Sequence, residues 1–227
     1  MTEETARERL IPLLDRLYAL LKQIDRNEGH VGYTKPYPPA AEEDIVKAEA
    51  RLDFRFPGSY RAFLKLHNGW KNIRYSWSIL GVSGPGYAQA EKQWKNDVQM
   101  FEKAFRKDGP RHADGLREKE KEDPEVIYMP HHPPLATDFN GEYLVFDRNR
   151  PGKGGEFEIA WVTNGEFVDF RYKDLIEYTE QNVSQARGEL RDNGVDPDAV
   201  EAAAGVGKTK KKSSSAKRTT GARKKAT

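Results

Sequence analysis

Apolar side chains recur at steps of three and four residues in several segments of the chain, and this spacing predicts amphipathic helices. Pro12 lies inside the first segment, so we expect it either to kink that helix or to lie near its true start. A short helix is predicted to open at Asp196-Pro197 and to end at Gly205. The longer helices are predicted within residues 3–24, 41–52, 55–70, 88–106 and 173–191.

Apolar and polar positions alternate after residue 70, which is the pattern of a half-buried β-strand. Tyr75, Trp77 and Ile79 are predicted to face one side of this strand. More strand-like segments follow in quick succession, at residues 126–129, 142–147, 156–162 and 166–170.

Two Asn-Gly pairs, at residues 140–141 and 164–165, lie between apolar runs. They predict hairpins with type I′ turns, because both central residues of that turn need positive φ. Residues 107–125 are dominated by charge and are expected to form a surface loop or an exposed helical insert. The order of the elements predicts an α+β fold, in which a mostly antiparallel sheet is flanked by helices.

Residues 55–70, RFPGSYRAFLKLHNGW, contain the start, the body and the end of one helix. Pro57 suits the first helical position, where its missing N–H costs nothing. The Asn68-Gly69 pair can adopt the left-handed conformation that ends a helix, and Trp70 can then supply the hydrophobic contact after the cap. The buried face of this helix is predicted to consist of Tyr60, Phe63 and Leu64.

The helix at residues 41–52 begins with three acidic residues, at its positive N-terminal end. Together with residues 55–70 it resembles the signature of the SUKH superfamily, which includes the fungal Smi/Knr cell-wall assembly regulators and many bacterial immunity proteins. Asp53 stands where such proteins more often carry glycine, and the resemblance covers residues 39–183. The matching positions are Ile45, Glu49, Leu52, Phe56, Pro57, Tyr60, Phe63, Leu64, Asn68 and Gly69.

The formal net charge of +2 combines two parts of opposite sign. Nine of the 38 basic side chains and none of the 36 acidic ones lie in residues 208–227, which leaves 29 basic and 36 acidic side chains, a net charge of −7, in residues 1–207. The basic segment has too few apolar residues to offset its ordering entropy and is expected to be disordered. We therefore divide the chain into an N-terminal helix and loop (1–38), a SUKH-like domain (39–206) and a disordered tail (207–227).

The chain contains no cysteine, which excludes disulfides, thiolate metal sites and a cysteine nucleophile. This composition fits a reducing cytoplasm. No segment approaches the length of a membrane span, so we expect a soluble, cytoplasmic protein and no membrane partner.

The sequence does not predict a catalytic, metal or cofactor site. His131 and His132 are adjacent, so on an extended segment they point to opposite faces, and a single ion cannot readily meet both imidazoles, even with Asp138 nearby. The glycine-rich segments 151–156 and 205–209 lack the spacing and the strand–helix context of a phosphate-binding loop. We expect a protein that is not an enzyme; an uncharacterised hydrolase is the third alternative, because a fold does not exclude chemistry.

The resemblance implies a protein that binds and neutralises a toxin, many of the toxins of this group being basic nucleases. An acidic domain attracts a basic partner by long-range steering. Trp70, beyond a helix end, and Tyr87, beside glycine and proline, are candidate exposed contacts, whereas Tyr75, Trp77, Trp94, Phe157, Trp161 and Phe170 are expected in the core. The candidate carboxylates, which are otherwise the polar alternates of half-exposed strands, are Glu142, Asp147, Glu156, Glu158, Glu166 and Asp169.

The basic tail predicts a different class of function. Its side chains can neutralise nucleic-acid phosphates without reading the sequence of the bases, since no aromatic residue is present to stack on them. Solubility and contact with the acidic body are the alternatives. The candidate polyanion contacts are Lys208, Lys210, Lys211, Lys212, Lys217, Arg218, Arg223, Lys224 and Lys225.

Two functions are therefore expected from the sequence. The first is an immunity protein that neutralises a cognate toxin by occlusion, without catalysis. The alternative is a regulatory or scaffolding protein of the same superfamily, whose tail binds nucleic acid or another polyanion.

Overall fold

A six-stranded antiparallel sheet lies between two groups of helices. The computed structural model describes residues 1–28, 36–107 and 110–206. The helices of this part of the chain are α1 (Glu3–Glu28), α2 (Glu42–Leu52), α3 (Gly58–Leu66), α4 (Gly84–Lys107), α5 (Pro110–Glu122), α6 (Leu175–Asp192) and α7 (Pro197–Ala203). Its strands are β1 (Trp70–Arg74), β2 (Trp77–Ile79), β3 (Pro134–Thr137), β4 (Tyr143–Pro151), β5 (Phe157–Thr163) and β6 (Phe167–Tyr172).

The strands follow one another in the sheet in their order along the chain, and each is antiparallel to the next. The predicted α+β fold with an antiparallel sheet flanked by helices is confirmed. The predicted disordered tail lies outside the described residues.

Both faces of the sheet are covered, because β4 and β5 are apolar at successive positions. Alternate side chains pack against α1, α3 and α6 on what we call the α1 face, and they include Leu144, Phe146 and Ile159. The intervening side chains pack against Trp94, Val98 and Phe101 on what we call the α4 face, and they are Tyr143, Val145, Ala160 and Val162.

Helix α1 belongs to the main core. Its predicted apolar stripe is buried against α3 and α6. Pro12 does not mark the start of the helix, which begins at Glu3, and it lies at an exposed position inside α1. The buried residues of the stripe include Ala6, Leu10, Leu14, Leu17, Leu21 and Ile24.

Several local predictions are wrong. The strand predicted through Tyr75 is a hairpin, since Tyr75 has a φ of +50° between β1 and β2. Of the two alternatives for residues 107–125, the helical insert is present as α5, but its Ala113 and Leu116 are buried rather than exposed. Residues 126–129 form no strand but an isolated bridge from Val126 to Phe167, backbone hydrogen bonds from Ile127 and Met129 to Glu166 and Gly165, and the start of a 3₁₀ helix.

The two Asn-Gly pairs behave differently. Asn164 and Gly165 have φ values of +53° and +75°, as a type I′ turn requires. In the other hairpin, the positive φ values belong to Phe139 (+63°) and Gly141 (+100°), within a five-residue connection from Thr137 to Tyr143. The prediction of a two-residue turn at 140–141 is therefore wrong.

Asn68 has a different role from the predicted helix cap. Helix α3 ends at Leu66, and His67 after it is extended. The side chain of Asn68 accepts a hydrogen bond from Val82 N (2.8 Å) and donates one to Ser83 Oγ (2.9 Å). Asn68 thus fastens the chain that leads into α4.

The turn between α2 and α3 is held by Glu49, whose carboxylate accepts bonds from Phe56 N (2.9 Å) and from Arg61 (2.7 Å). Asp53, at the end of α2, adopts the left-handed conformation with φ 45° and ψ 46°. An aspartate therefore takes the backbone conformation that glycine adopts at lower cost.

Asp53→Gly is expected to raise the free energy of unfolding by about 0.5–1 kcal/mol, because glycine reaches the left-handed region without a Cβ penalty. Asp53→Ala is the matched control, since it removes the carboxylate and keeps the Cβ atom. Urea denaturation followed by tryptophan fluorescence measures both variants. Equal stabilities of the two variants would contradict the explanation.

Candidate functional site

Three turns of the meander lie at the same end of the sheet, which we call the turn end. They join β1 to β2, β3 to β4 and β5 to β6, and the register of the intervening strand pairs brings them together. The α1 face of this end carries four aromatic side chains that we call the platform: Trp77, Trp161, Phe167 and Phe170.

The two tryptophans of the platform pack on the core, and its two phenylalanines are open to solvent. The rings of Trp77 and Trp161 meet edge-to-face with centroids 5.1 Å apart, and both residues pack partly on the core. Trp161 is the cross-strand partner of Phe170. Phe167 and Phe170 are 51% and 45% exposed. Large aromatic side chains that are anchored on a core and open to solvent are typical of the residues that dominate protein interfaces.

Glu142 borders the platform. Its Oε2 accepts a hydrogen bond of 3.1 Å from Trp161 Nε1. No lysine, arginine or histidine in the described parts of the chain forms an ion pair with Glu142. The carboxylate of Asp138, in the same turn, accepts from the backbone N–H groups of Asn140 (2.8 Å) and Glu142 (3.1 Å). The site therefore combines aromatic surface with two carboxylates.

Three of the predicted contact residues are buried, which corrects their assignment to the surface. Trp70 is 1% exposed and packs on Tyr18, because the chain after α3 turns its indole into the core. Asp147 is 2% exposed and accepts a bond of 2.7 Å from Arg171. Glu156 is 4% exposed and accepts bonds from the N–H (3.1 Å) and hydroxyl (2.5 Å) of Ser59.

The burial of Glu156 raises the pKa of its carboxyl above the ordinary value, although the bonds from Ser59 act in the opposite direction. Groups that are satisfied inside the fold in this way are structural. A partner that approaches the surface cannot reach Trp70, Asp147 or Glu156.

The other predicted contacts lie nearer to solvent. Glu158 is partly exposed on the α4 face, 3.7 Å from Arg171. Glu166 is partly exposed beside the turn at 164–165, and Asp169 is exposed at the irregularity of β6. Of the predicted carboxylates, Glu142 is the one that the structure places in contact with the platform.

Sequence reasoning placed Trp77, Trp161 and Phe170 in the core, and it did not consider Phe167. Alternation correctly assigns Trp77 and Trp161 to the side that faces the core. It gives no indication that the helices leave this end of the sheet partly open. The signal in the sequence that could have indicated exposure was the location of these residues near predicted turns.

Tyr87 borders a groove of about 660 Å³ that runs along β2 and the segment after it and reaches Phe139 in the turn between β3 and β4. The guanidinium of Arg51 lies 4.9 Å from the centre of the Tyr87 ring and donates to its hydroxyl. Burial raises the pKa of Tyr87. Tyr87, a candidate exposed contact, is partly buried and lines this groove. The groove is lined, among others, by Tyr37, Pro38, Lys71, Ser83, Tyr87 and Phe139.

His132 belongs to a buried polar network. Its Nδ1 accepts from Arg148 N (3.1 Å), so the proton lies on Nε2, which donates to Glu120 Oε2 at 3.0 Å. The N–H of Tyr128 bonds to the same oxygen at 2.5 Å. Burial alone raises the pKa of Glu120, but these hydrogen bonds outweigh it and hold the pKa below its ordinary value.

His131 is partly exposed, and its pKa is lowered by burial and by nearby Arg117. Within the residues described, no group of three or more histidine, aspartate and glutamate side chains is arranged to hold a metal ion. The network around Glu120 fastens α5 to the sheet.

The model of the SMI1 / KNR4 family (SUKH-1) matches residues 39–181, more than half of the chain. The chain belongs to this family. The suspected SUKH relationship is thereby confirmed. Glu49, Tyr60 and Asn68 lie within the matched range and hold loops in this structure. Tyr60 donates to Leu80 O (2.8 Å), beside the groove. No curated protein matches the chain. None of the helices in the described ranges has the length and apolar character needed to cross a membrane.

Glu120→Gln is expected to lower the free energy of unfolding by about 1.5–3 kcal/mol at pH 7, the usual contribution of hydrogen bonds to a charged group. The folded pKa of Glu120 lies below the ordinary 4.5, so its contribution is complete above that pH and is lost as pH falls through the folded pKa. The difference between the two proteins should therefore shrink below pH 4.5 in urea titrations.

Glu118→Gln is the matched control for Glu120→Gln. Glu118 is exposed on the same helix and pairs with Lys121 (2.8 Å), so its change should be within about 0.5 kcal/mol. A pH-independent loss in Glu120→Gln would show that the charge of Glu120 does not stabilise the network.

Proposed function

We propose that this protein is a non-catalytic protein-binding module that acts as an immunity protein: it binds a cognate toxin and covers the surface that the toxin needs for activity. Membership of the SUKH-1 family is consistent with an immunity or a regulatory role. The observation that carries the proposal is the platform, with two half-exposed phenylalanines beside two anchored tryptophans.

The platform supports binding to a protein surface because its aromatic residues are already held in place. Trp77 and Trp161 touch each other and the core, so little side-chain freedom is lost when a partner covers them. Burying Phe167 and Phe170 would add apolar area. A compact aromatic centre surrounded by polar residues is the arrangement of interface hot spots.

The charge of the folded part supports a basic partner. Residues 1–207 carry a net charge of −7, which accelerates encounter with a cationic protein. We propose that Glu142 lies inside the contact, and that Glu158, Glu166 and Asp169 contribute at its edge. Toxin domains that bind nucleic acid are basic, so they fit this class of partner.

The proposal requires a cognate toxin domain, which we expect to be encoded by an adjacent gene. The double variant Phe167→Ala/Phe170→Ala is expected to weaken binding to that domain by a factor of about 30, as for a loss of hot-spot residues. Calorimetry measures the affinity, and co-expression measures protection of the host cell. Met100→Ala is the matched control, because Met100 is an exposed apolar residue of α4. Unchanged affinity and protection in the double variant would contradict the proposal that the platform is the binding surface.

A second candidate function rests on the tail, which lies outside the described residues. Its nine basic side chains and lack of acidic ones favour a regulatory or scaffolding protein that binds nucleic acid or another polyanion. The acidic charge of residues 1–207 opposes such binding, so the tail must supply the affinity.

The full chain is expected to bind double-stranded DNA at low salt, and a chain that ends at Gly207 is expected not to bind. If all nine cations contact phosphates, log K should fall against log salt with a slope of about −8. Fluorescence anisotropy with a labelled duplex measures both chains. Equal binding by the two chains would eliminate the tail as a polyanion site.

A further inference from the structure

One corner of the platform places a carboxylate beside two indole rings. Glu142 Oε2 accepts from Trp161 Nε1 at 3.1 Å, and Trp161 meets Trp77 edge-to-face at 5.1 Å. The hydrogen bond uses one oxygen of Glu142 and the edge of the indole. The second carboxylate oxygen and the partly exposed ring surfaces are available to another group, since no cationic side chain of the described residues pairs with Glu142.

The chemistry of this corner suits a planar cation. Tryptophan is the best aromatic host for a cation, and a carboxylate accepts directional bonds from a guanidinium. Arginine can stack on an indole and donate to a carboxylate at the same time, whereas the ammonium of lysine is a compact, strongly hydrated charge. We infer that Trp77, Trp161 and Glu142 form a subsite for an arginine side chain of the partner protein.

The subsite is formed before any partner arrives. Thr137 Oγ1 accepts from Phe139 N (3.0 Å) and donates to Glu142 O (3.2 Å). Asp138 accepts from the N–H groups of Asn140 and Glu142 in the same turn. These bonds fix the backbone from which the Glu142 side chain extends, so arginine binding requires little rearrangement. Asp138 also adds a second negative charge.

The chain contains an internal example of the same recognition. The guanidinium of Arg74 lies 4.5 Å from the centre of the Tyr75 ring and pairs with Glu189 at 2.5 Å. This pairing of an aromatic ring and a carboxylate on one arginine lies at the turn between β1 and β2. At Glu142, Trp77 and Trp161 supply the rings and Glu142 supplies the carboxylate, while the partner protein supplies the arginine.

The inference rests on the proposed function for the identity of the partner, but the recognition of arginine can be measured without a toxin. The probes are the blocked tripeptides acetyl-Gly-Arg-Gly-amide and acetyl-Gly-Lys-Gly-amide. They are titrated into the ¹⁵N-labelled full chain and into a chain that ends at Gly207, and the four indole N–H signals are followed by NMR.

The arginine peptide is expected to shift the signals of Trp161 and Trp77 and to leave buried Trp70 unchanged. The lysine peptide should bind more weakly. Glu142→Gln should weaken arginine binding by up to about fivefold, as for loss of an exposed ion pair. Glu43→Gln, an exposed change of equal charge on α2, is the control and should have no effect.

The inference is overturned if Trp161 does not respond, if lysine and arginine act equally, or if Glu142→Gln binds arginine as well as the unchanged chain. A weaker response of the full chain than of the shortened chain would support it, because arginines of the tail then compete for the subsite. Toxin binding without an arginine response would retain the proposed function and reject the subsite. An arginine response without toxin binding would retain the subsite and reject the proposed function.

Discussion

The double burial of β4 and β5 is the constraint on which the rest of the structure depends. Val145 pairs with Ala160 and Phe146 with Ile159, and all four side chains are buried. Because successive residues point to opposite faces, both faces of the sheet must be covered by helices. Helices α1, α3 and α6 cover one face and α4 covers the other. The platform lies at the turn end, where this cover of the α1 face stops.

Polar side chains, one buried and two partly buried, hold the connections between these elements. Glu49 holds the turn between α2 and α3, Asn68 holds the entry to α4, and Glu120 fastens α5 to the segment before β3. Each is satisfied by backbone N–H groups or by a second side chain, so each defines a position as well as adding stability. The residues of the motif at 41–70 thus hold loops and pack in the core. The candidate contact residues lie later in the chain.

The sequence predicted the elements whose pattern is determined locally. Helices α2 and α6 have sustained periodicity, and turn signals bound strands β5 and β6, so their predicted limits lie within two residues of the observed ones. Strand β4 extends four residues beyond its predicted end, to Pro151. The wrong predictions occur where the burial of a residue is decided by contacts with residues that are distant in the sequence. Leu116 and Glu120 of α5 are buried although their neighbours are charged, and the carboxylate of Glu120 finds His132 only in the folded chain. The same cause explains why Trp161, which was predicted in the core, is partly exposed, because no local pattern tells where a helix stops covering a sheet.

In the proposed complex, the charge of the folded part and the platform would have different roles. A net charge of −7 on residues 1–207 acts over about a Debye length and attracts many cationic molecules. Such attraction is not selective. Discrimination needs short-range contacts, and in the described part of the chain Glu142 is the predicted carboxylate that touches the platform. A cationic partner without a complementary apolar surface would gain the electrostatic attraction but would leave Phe167 and Phe170 in water, so it would dissociate quickly.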